Sequence, residues 1–345
     1  MEFGIGMFGD LGLESSTKEF KSAQQRFAEM TEEIKLADEL GIDVVAMGEH
    51  HRADYAVAST EVYLAALSSV TRNIKLASGV TVLSSADPVK VFQDYATLDL
   101  LSNGRAEIIA GRGSFTESFP LYGYDLWDYD ELFVEKLDLL LQLNKEPKIT
   151  WEGKFRKPLK NQPIFPRPVN NRELPVWIAV GGTPASVHRA AVLGVPLMLA
   201  IIGGMPAQFT DFVKYYKRVY QESGHDIAKM QLGVHSHTFV ADSSKALIDS
   251  YFLYYAAQMD RVGKQRGWPP YTKMQFEGGM SEQGALFMGE PKKVAEKITG
   301  LIKMFGLTRF VAHMDVGDPG HEAIMRSIEL FAKEVIPMVK KSLAE

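Results

Sequence analysis

Two kinds of hydrophobic spacing alternate along almost the whole chain. Short runs rich in Val, Ile, Leu and Ala predict buried strands at residues 3–8, 43–47, 74–83, 105–110, 175–180, 195–200, 231–240 and 308–314. Between these runs, apolar residues recur at intervals of three and four positions, which indicates helices with one buried face. Each predicted strand is therefore followed by a predicted helix, and this unit occurs eight times.

The alternation predicts an α/β fold with a parallel sheet, because parallel strands can be joined only by crossover connections. Eight such units in 345 residues match a single (β/α)8 TIM barrel that carries insertions. An open doubly wound sheet has the same local pattern and stays as the alternative, although the number of strands favours the barrel.

Two stretches interrupt the regular pattern. Residues 147–175 are rich in proline and contain a predicted hairpin with strands at 149–151 and 154–155. Residues 261–286 hold several glycines and a Pro-Pro pair, and we predict that they are irregular. We interpret both stretches as insertions in one domain that spans residues 1–345.

Composition narrows the class of protein. Apolar residues make up 46% of the chain and charged residues 23%, which is typical of a soluble globular enzyme. The 38 Lys and Arg residues and 43 Asp and Glu residues give a net charge of −5 without a block of one sign, which argues against nucleic-acid or membrane-surface binding. The chain has no cysteine, so disulfides, thiolate metal sites and cysteine nucleophiles are excluded.

The chain also carries no predicted targeting or membrane segment. Its first residues, MEFGIGMFGD, lack the basic and apolar regions of a signal peptide. The longest apolar run, residues 190–202, is interrupted by Gly194 and Pro196 and is too short to span a bilayer. These features predict a cytoplasmic protein.

In a barrel, the residues that follow each strand are the candidates for chemistry. The sequence Gly48-Glu49-His50-His51-Arg52 follows the second strand. A single histidine is more often structural than catalytic, but the doubling and the adjacent carboxylate make this segment a candidate site. A metal site here is disfavoured, because successive residues leaving a strand point in opposite directions.

Two glycine-containing segments indicate anion binding. Gly111-Arg112-Gly113 lets the backbone approach a ligand while the guanidinium grips a phosphate or carboxylate, although a tight turn with a solvated arginine explains it equally well. The segment 181–186, with the sequence GGTPAS, leads directly into a predicted helix and presents free N–H groups at its positive end. An ordinary helix cap explains Thr183 but not the two glycines, so we favour phosphate binding.

Histidines on the last strands give a second candidate site. His235 and His237 are two residues apart and share one face of the seventh strand, while His313 and Asp315 end the eighth. This spacing occurs in metal-dependent barrel hydrolases, but the further acidic and lysine ligands of a two-metal centre are not apparent. The same histidines are equally compatible with the wall of an organic ligand pocket.

Five segments together resemble the bacterial luciferase-like flavin-dependent monooxygenases. They are GIDVVAMGEHH (41–51), IKLASGVTVLSSADPVKVFQDYATLDLLSNGRAEIIAGRG (74–113), FPLYG (119–123), VWIAVGGTPASVHRAAVLGVPLML (176–199) and FMGEPKKVAEKI (287–298). Their order and spacing cover nearly the whole chain. The resemblance implies a (β/α)8 barrel with insertions, which agrees with the count of strands.

The resemblance also implies a cofactor and its site. The family uses reduced FMN, or in one branch the deazaflavin F420, usually supplied by a separate flavin reductase. His50, with Glu49 beside it, matches the family's catalytic histidine. The implied cofactor contacts are the phosphate-binding Arg112 and its neighbour Gly113, the phosphate loop of Gly181, Gly182, Thr183 and Ser186, and a non-prolyl cis peptide at Gly79–Val80 against the flavin ring. Residues 261–286 match a mobile loop that covers the active site.

The chain departs from bacterial luciferases at one position. Those enzymes carry a reactive cysteine immediately before the arginine, where this chain has Gly111. Oxidation of a small organic substrate is therefore implied, whereas a long-chain aldehyde substrate and light emission are not. A metal-dependent barrel hydrolase and a non-catalytic flavin-binding protein remain the alternatives.

The resemblance further implies a homodimer formed through the early barrel helices. Five apolar residues of one helix would suit such a surface: Val62, Leu64, Ala65, Ala66 and Leu67. Outer helices of a monomeric barrel also bury an apolar stripe, so the sequence pattern discriminates poorly between the two states.

Overall fold

The computed structural model describes residues 1–13 and 19–345. Its strands are β1 (Glu2–Met7), β2 (Val44–Met47), β3 (Lys75–Ser78), β4 (Thr81–Val82), β5 (Ala106–Gly111), β6 (Lys148–Trp151), β7 (Leu159–Pro163), β8 (Val176–Val180), β9 (Leu197–Ala200), β10 (Leu232–Val240), β11 (Phe287–Gly289) and β12 (Arg309–His313). Within the described residues, eight of them form a closed parallel ring in the order β1-β2-β3-β5-β8-β9-β10-β12, with β12 pairing again with β1. The (β/α)8 barrel is therefore confirmed, and the open doubly wound sheet is wrong.

Helices surround this ring. They are α1 (Ala23–Glu39), α2 (Thr60–Val70), α3 (Pro88–Ser102), α4 (Ser118–Tyr122), α5 (Tyr129–Lys145), α6 (Pro184–Leu193), α7 (Thr210–Glu222), α8 (Ser244–Arg266), α9 (Lys273–Met280), α10 (Pro291–Phe305), α11 (His321–Leu330) and α12 (Ile336–Ala344). A π-helical turn, Phe331–Val335, joins the last two, which the sequence pattern predicts as one helix. No helix in the described ranges is both long and apolar enough to cross a bilayer.

Local sequence explains where several helices begin and end. Asp87 caps α3 by accepting hydrogen bonds from the backbone N–H groups of Val89 and Lys90, and Pro88 occupies the first helical turn. Gly194 ends α6 in the left-handed conformation, with φ of +67°, which favours glycine because it has no Cβ. These signals are local, and the predicted boundaries lie close to the observed ones.

The first insertion is a two-stranded hairpin, as predicted, but its second strand is misplaced in the prediction. Strand β6 pairs with β7 at residues 159–163 and not at 154–155. The backbone N–H groups of Lys154 and Phe155 instead donate to the carboxylate of Glu135 on α5. A contact with a distant helix therefore replaces the predicted ladder.

The second insertion is more regular than predicted. Helix α8 continues to Arg266 and ends at Gly267, whose φ of +70° suits a helix terminus. Helix α9 then begins at a capping box in which Thr272 and Gln275 satisfy each other's backbone N–H groups. The prediction that residues 261–286 are irregular is wrong over both helices.

The barrel interior is filled below its midpoint by a small hydrophobic layer. This layer consists of Val44, Ala46, Ala77, Ile109, Trp177, Met198 and Val311. A much larger hydrophobic layer lies between the strands and the outer helices. Because side chains fill the lower interior, the space for a ligand lies at the carboxyl ends of the strands.

Helix α2 divides its apolar side chains between the barrel core and the surface. Leu64 and Leu67 are fully buried against the barrel, whereas Val62 is 72% exposed. Leu64 and Leu67, two of the five residues suggested for a dimer surface, are therefore part of the barrel's own core. The 3.6-residue period places them on the core-facing side.

Candidate active site

The carboxyl ends of the barrel strands surround a cavity of about 1060 Å³. This volume exceeds the roughly 300–1,000 Å³ that is typical of a pocket for one small molecule. Aromatic rings form much of its wall: Phe8, Tyr55, Phe115, Tyr129, Tyr255, Trp268 and Tyr271. The predicted site residues that also line it are Glu49, His50, Gly79, Val80, Arg112, Gly113, Gly181, Thr183, His235, His237 and His313.

The backbone between the third and fourth strands borders the cavity at Gly79 and Val80. The predicted strand 74–83 is divided into β3 and β4 by the Gly79–Val80 peptide bond, which is cis, the geometry that the family resemblance implies. Opposite it, a Cβ atom on Gly111 would lie 2.7 Å from Cγ2 of Val80. The position at which bacterial luciferases carry cysteine therefore has no room for a side chain here unless Val80 moves.

His50 lies in a cage of aromatic rings. Its ring centroid lies 4.2 Å from that of Tyr55, 4.7 Å from that of Phe115 and 5.0 Å from that of Phe8. Both ring nitrogens are buried without a hydrogen bond to the described residues. Burial lowers the pKa of His50 to about 3, and the neighbouring charges of His313 and Arg52 contribute. His50 is therefore a neutral imidazole at neutral pH.

Glu49 points away from His50. Its carboxylate accepts hydrogen bonds from Nε2 of His51 and from the backbone N–H of Val82, both at 2.9 Å. Glu49 is next to His50 in sequence but faces His51 and Val82, because consecutive residues after a strand project in opposite directions. Glu49 instead fixes His51 and the segment that follows the cis peptide.

An arginine and a helix terminus meet on the opposite side of the cavity. Nη2 of Arg112 donates to Oγ1 of Thr183 at 2.9 Å, and Nη1 binds the carboxylate of Asp130. The guanidinium also lies 5.3 Å from the ring centroid of Tyr129. The structure therefore brings together the two segments that the sequence singled out for anion binding.

The residues of the predicted phosphate loop do not all reach the cavity. Gly181 and Thr183 line it, and a Cβ on Gly181 would meet no atom within 4 Å. Gly182 has φ of +124°, which only glycine adopts readily. Among the described residues, neither Gly182 nor Ser186 is part of the cavity wall, and Ser186 is buried in the first turn of α6.

A buried ionic chain ends at His313. Nε2 of His313 lies 3.1 Å from Oδ1 of Asp315, whose carboxylate also accepts from the backbone N–H groups of Phe8 and Gly9 and from Arg26. Burial raises the pKa of Asp315, but the hydrogen bond and charge of His313 and the charge of Arg26 together bring it well below its usual range. Asp315 is therefore an anion, and both of its carboxylate oxygens accept hydrogen bonds.

Two further polar groups near His313 lack partners. Oδ1 of Asp10 and Nε2 of His235 are buried without hydrogen bonds to the described residues. Burial, helped by the charge of Asp315, raises the pKa of Asp10 well above its usual range, and burial lowers the pKa of His235 to about 3. His237 differs, because its Nδ1 lies 2.8 Å from the hydroxyl of Tyr255.

The structure disfavours the metal site suggested by the histidines. In the described part of the chain, His50, His235 and His237 do not form a set of converging ligands; the one such set is Asp10, His313 and Asp315, with ligand atoms within 4.8 Å of one another. Asp315, however, is already saturated by backbone donors and by the guanidinium of Arg26. Arg26 therefore already provides a positive charge to this carboxylate.

Sequence reasoning missed Asp10 and Arg26. Asp10 follows the first strand, so a systematic reading of strand ends could have found it. Arg26 has an exposed fraction of 0% although it lies in a helix, where a charged residue usually marks the solvent face. No local signal distinguishes it.

Comparison with known proteins adds the family. Residues 1–308 match the family model described as luciferase-like monooxygenase. The chain is 24% identical over 319 residues to 4-hydroxyprotoasukamycin monooxygenase of Streptomyces nodosus subsp. asukaensis, covering 89% of this chain and 85% of that protein. It is also 24% identical over 242 residues to the oxygenase component of flavin-dependent trigonelline monooxygenase of Acinetobacter baylyi, covering 65% and 62%.

Solved structures share the fold. A monooxygenase from Streptomyces bottropensis superposes with a TM-score of 0.84 at 23% identity, covering 98% of this chain and 99% of that one. The oxygenating constituent of 3,6-diketocamphane monooxygenase from Pseudomonas putida, in complex with FMN, gives 0.77 at 20%, covering 98% of both chains. The coenzyme F420-dependent tetrahydromethanopterin reductase of Methanopyrus kandleri gives 0.73 at 20%, covering 97% and 98%.

Proposed function

Because this chain belongs to the luciferase-like monooxygenase family, we propose that it is the oxygenase of a flavin-dependent system that oxidises a small organic substrate with O2 and reduced FMN. The observation that carries this proposal is the position of Arg112, Thr183 and the start of α6 beside the Gly79–Val80 segment, in one large cavity. The FMN complex of the diketocamphane enzyme and the flavin dependence of the trigonelline enzyme support it.

The residues of the cavity fit FMN. Arg112 offers a guanidinium for the phosphate, and Thr183 and the free N–H groups at the start of α6 offer further donors. The open space around Gly181 leaves its backbone accessible to a ligand, and Gly113 also borders the cavity. Asp130, which is exposed, is the present partner of Arg112 and would be displaced by a phosphate.

The flavin ring would lie against Gly79 and Val80. Gly79, Val80 and Gly111 all line the cavity, and neither glycine adds a side chain there. Reduced FMN, when bound, supplies the electrons that activate O2, and the protein supplies position, polarity and dryness. The aromatic and apolar wall excludes water from the reacting centre.

His50 would serve as a neutral hydrogen-bonding group near the flavin. Both of its nitrogens lack partners in the structure, so one can donate to a ligand and the other can accept. Its neutrality, set by burial, makes it a weak base, and hydrogen bonding is therefore its main assigned role. Glu49 would contribute indirectly, by fixing His51 and the backbone of Val82.

The proposal also includes a reductase, a lid and a dimer. A separate flavin reductase would deliver reduced FMN, which the name "oxygenase component" of the trigonelline enzyme supports. Residues 261–286 would act as a lid, since Arg266, Trp268 and Tyr271 contribute to the cavity wall. Two copies of the chain would pair through the early barrel helices, which measurement of the solution mass would test.

Flavin titration tests the proposal directly. We expect saturable binding of FMN and of reduced FMN, with F420 binding more weakly, followed by fluorescence quenching or calorimetry. We also expect substrate-dependent O2 consumption that exceeds the autoxidation of free reduced FMN. Failure to bind either flavin would overturn the proposal, and flavin binding without added O2 consumption would favour a non-catalytic flavin-binding protein.

A further inference from the structure

The cavity holds a second histidine whose surroundings differ from those of His50. We propose that His313, oriented by Asp315, is the base that removes a proton from a phenolic hydroxyl group of the substrate. The proposal rests on the proposed function for the reaction and adds the substrate class and a catalytic residue.

The geometry of the pair defines which nitrogen is available. Asp315 is buried and accepts from Nε2 of His313 at 3.1 Å, so the hydrogen of a neutral imidazole lies on Nε2. The lone pair is then on Nδ1, which has no hydrogen-bond partner among the described residues, and His313 lines the cavity. This is the arrangement of a positioned base, with a carboxylate behind the imidazole and open space before it.

Hydrogen bonds hold the carboxylate of Asp315 in place and stabilise its negative charge. Arg26 and the backbone N–H groups of Phe8 and Gly9 hold both oxygens of Asp315. Arg26 is held in turn by Glu33 at 2.9 Å. When His313 gains a proton, the adjacent anion stabilises the imidazolium, and no side chain needs to move.

The groups that face His313 come from five elements. They are His235 and His237 of β10, Phe8 and Asp10 after β1, His50 after β2, Asp315 after β12 itself, and Arg26 of α1 behind that carboxylate. Burial lowers the pKa of each of the three other histidines and raises the pKa of Asp10. At neutral pH these three histidines and Asp10 are therefore neutral, whereas Asp315 and Arg26 are charged.

These charges select the substrate's polar group. A carboxylate placed here would meet the anion Asp315, with Arg26 already paired behind it. A neutral hydroxyl group can donate to the lone pair on Nδ1 of His313 without this repulsion, and the residues with unpaired buried atoms, His235 and Asp10, line the same cavity. The aromatic wall suits the ring that carries the hydroxyl group.

The acidity of the hydroxyl group narrows the substrate class to phenols. A phenolic hydroxyl has a pKa of about 10, within reach of an imidazole whose cation is stabilised by a carboxylate. An aliphatic alcohol is too weak an acid for the same base. In the proposed step, the O–H bond breaks, an N–H bond forms at Nδ1 of His313, and the electron pair remains on the oxygen as a phenolate.

The test uses the full-length chain without flavin and the probe 4-nitrophenol, whose phenolate absorbs visible light. We expect saturable binding and an apparent pKa of the bound probe about one unit below that of the free probe, which is about tenfold more phenolate below that pKa. In His313→Asn and His313→Gln the bound probe should instead ionise no more readily than the free probe, because burial disfavours the phenolate.

Two further variants sharpen the assignment. His188→Asn makes the same substitution at an exposed histidine that does not line the cavity, and the bound probe should keep its lowered apparent pKa. Asp315→Asn should give an intermediate value if circular dichroism shows that it folds; if it does not fold, the two His313 variants decide. The proposal is overturned if wild type does not bind the probe, if it does not lower the probe's pKa, or if His313→Asn still lowers it.

The same preparations separate this proposal from the proposed function. Normal FMN binding with no ionisation of the probe would overturn the role of His313 alone. Ionisation of the probe without FMN binding would overturn the flavin-dependent reaction and leave the base in place.

Discussion

The two ends of the barrel bury polar groups in opposite ways. At the amino ends of the strands, Arg309 donates to the carboxylates of Glu2 and Glu107, and Lys75 lies 3.1 Å from Glu107. We call these four residues the basal ion cluster. At the carboxyl ends, His50, His235 and Asp10 are also buried but keep atoms without partners among the described residues.

This difference separates stability from function. In the described structure, each charge of the basal ion cluster has a partner, and the guanidinium of Arg309 also lies 4.3 Å from the ring of Trp177. Unpaired buried atoms are costly, so folded proteins keep them mainly where a ligand will satisfy them. The ion pairs at the amino ends of the strands therefore contribute to stability, and the unpaired atoms at the carboxyl ends are available to a ligand.

The largest expected effect is on the basal ion cluster. Arg309→Met leaves Glu107 buried without its main partner, and we expect a loss of about 3–5 kcal/mol in the free energy of unfolding, measured by urea denaturation. The matched control is Arg218→Met, since Arg218 forms an exposed pair with Glu222. Equal losses in the two variants would mean that burial does not distinguish the basal ion cluster.

The next effect concerns ligand binding in the cavity at the carboxyl ends of the strands. Arg112→Ala removes the guanidinium assigned to the phosphate, and we expect FMN affinity to fall roughly ten- to a hundredfold, measured by titration. Stability should change much less than in Arg309→Met. Asp130→Asn is the counterpart, because it frees Arg112 from its present partner and should leave FMN affinity equal or higher. Unchanged affinity in Arg112→Ala would remove this residue from the site.

A steric test addresses the contact between Gly111 and Val80 at the cavity. Gly111→Ala places a Cβ 2.7 Å from Cγ2 of Val80, and we expect a loss of about 1–3 kcal/mol in the free energy of unfolding. Adding Val80→Ala removes the opposing methyl group and should recover part of that loss. If the single variant is as stable as wild type, Val80 moves freely and the backbone at Gly79–Val80 is not rigidly packed against Gly111.

The last prediction concerns the dependence of stability on pH. The pKa of His50 is about 3 in the folded chain and 6.5 when unperturbed, so between these values the unfolded chain binds the additional proton. Stability should therefore fall as pH is lowered from about 6.5 towards 3, by about 1.4 kcal/mol per pH unit for this one group. His50→Asn should have a correspondingly shallower slope. Parallel curves would contradict the neutral state of His50.

Much of the fold could be predicted from local sequence. The alternation of strand and helix depends on hydrophobic periods and on capping residues such as Asp87 and Gly194, which act within a few positions of themselves. The eight strands of the ring and the helices that follow them lie where these signals place them. The hairpin partner strand was misplaced because Glu135, on a separate helix, captures the N–H groups of the predicted strand.

The sequence by itself therefore determined the barrel, its family resemblance and the segments that border the cavity. The tertiary structure decided which side chains meet there. Glu49 turned to His51 and not to His50, and Arg26 reached Asp315 across 289 positions of the chain. Periodicity describes the direction of a side chain only within a regular element, whereas partners beyond the strand ends are chosen by packing between distant segments.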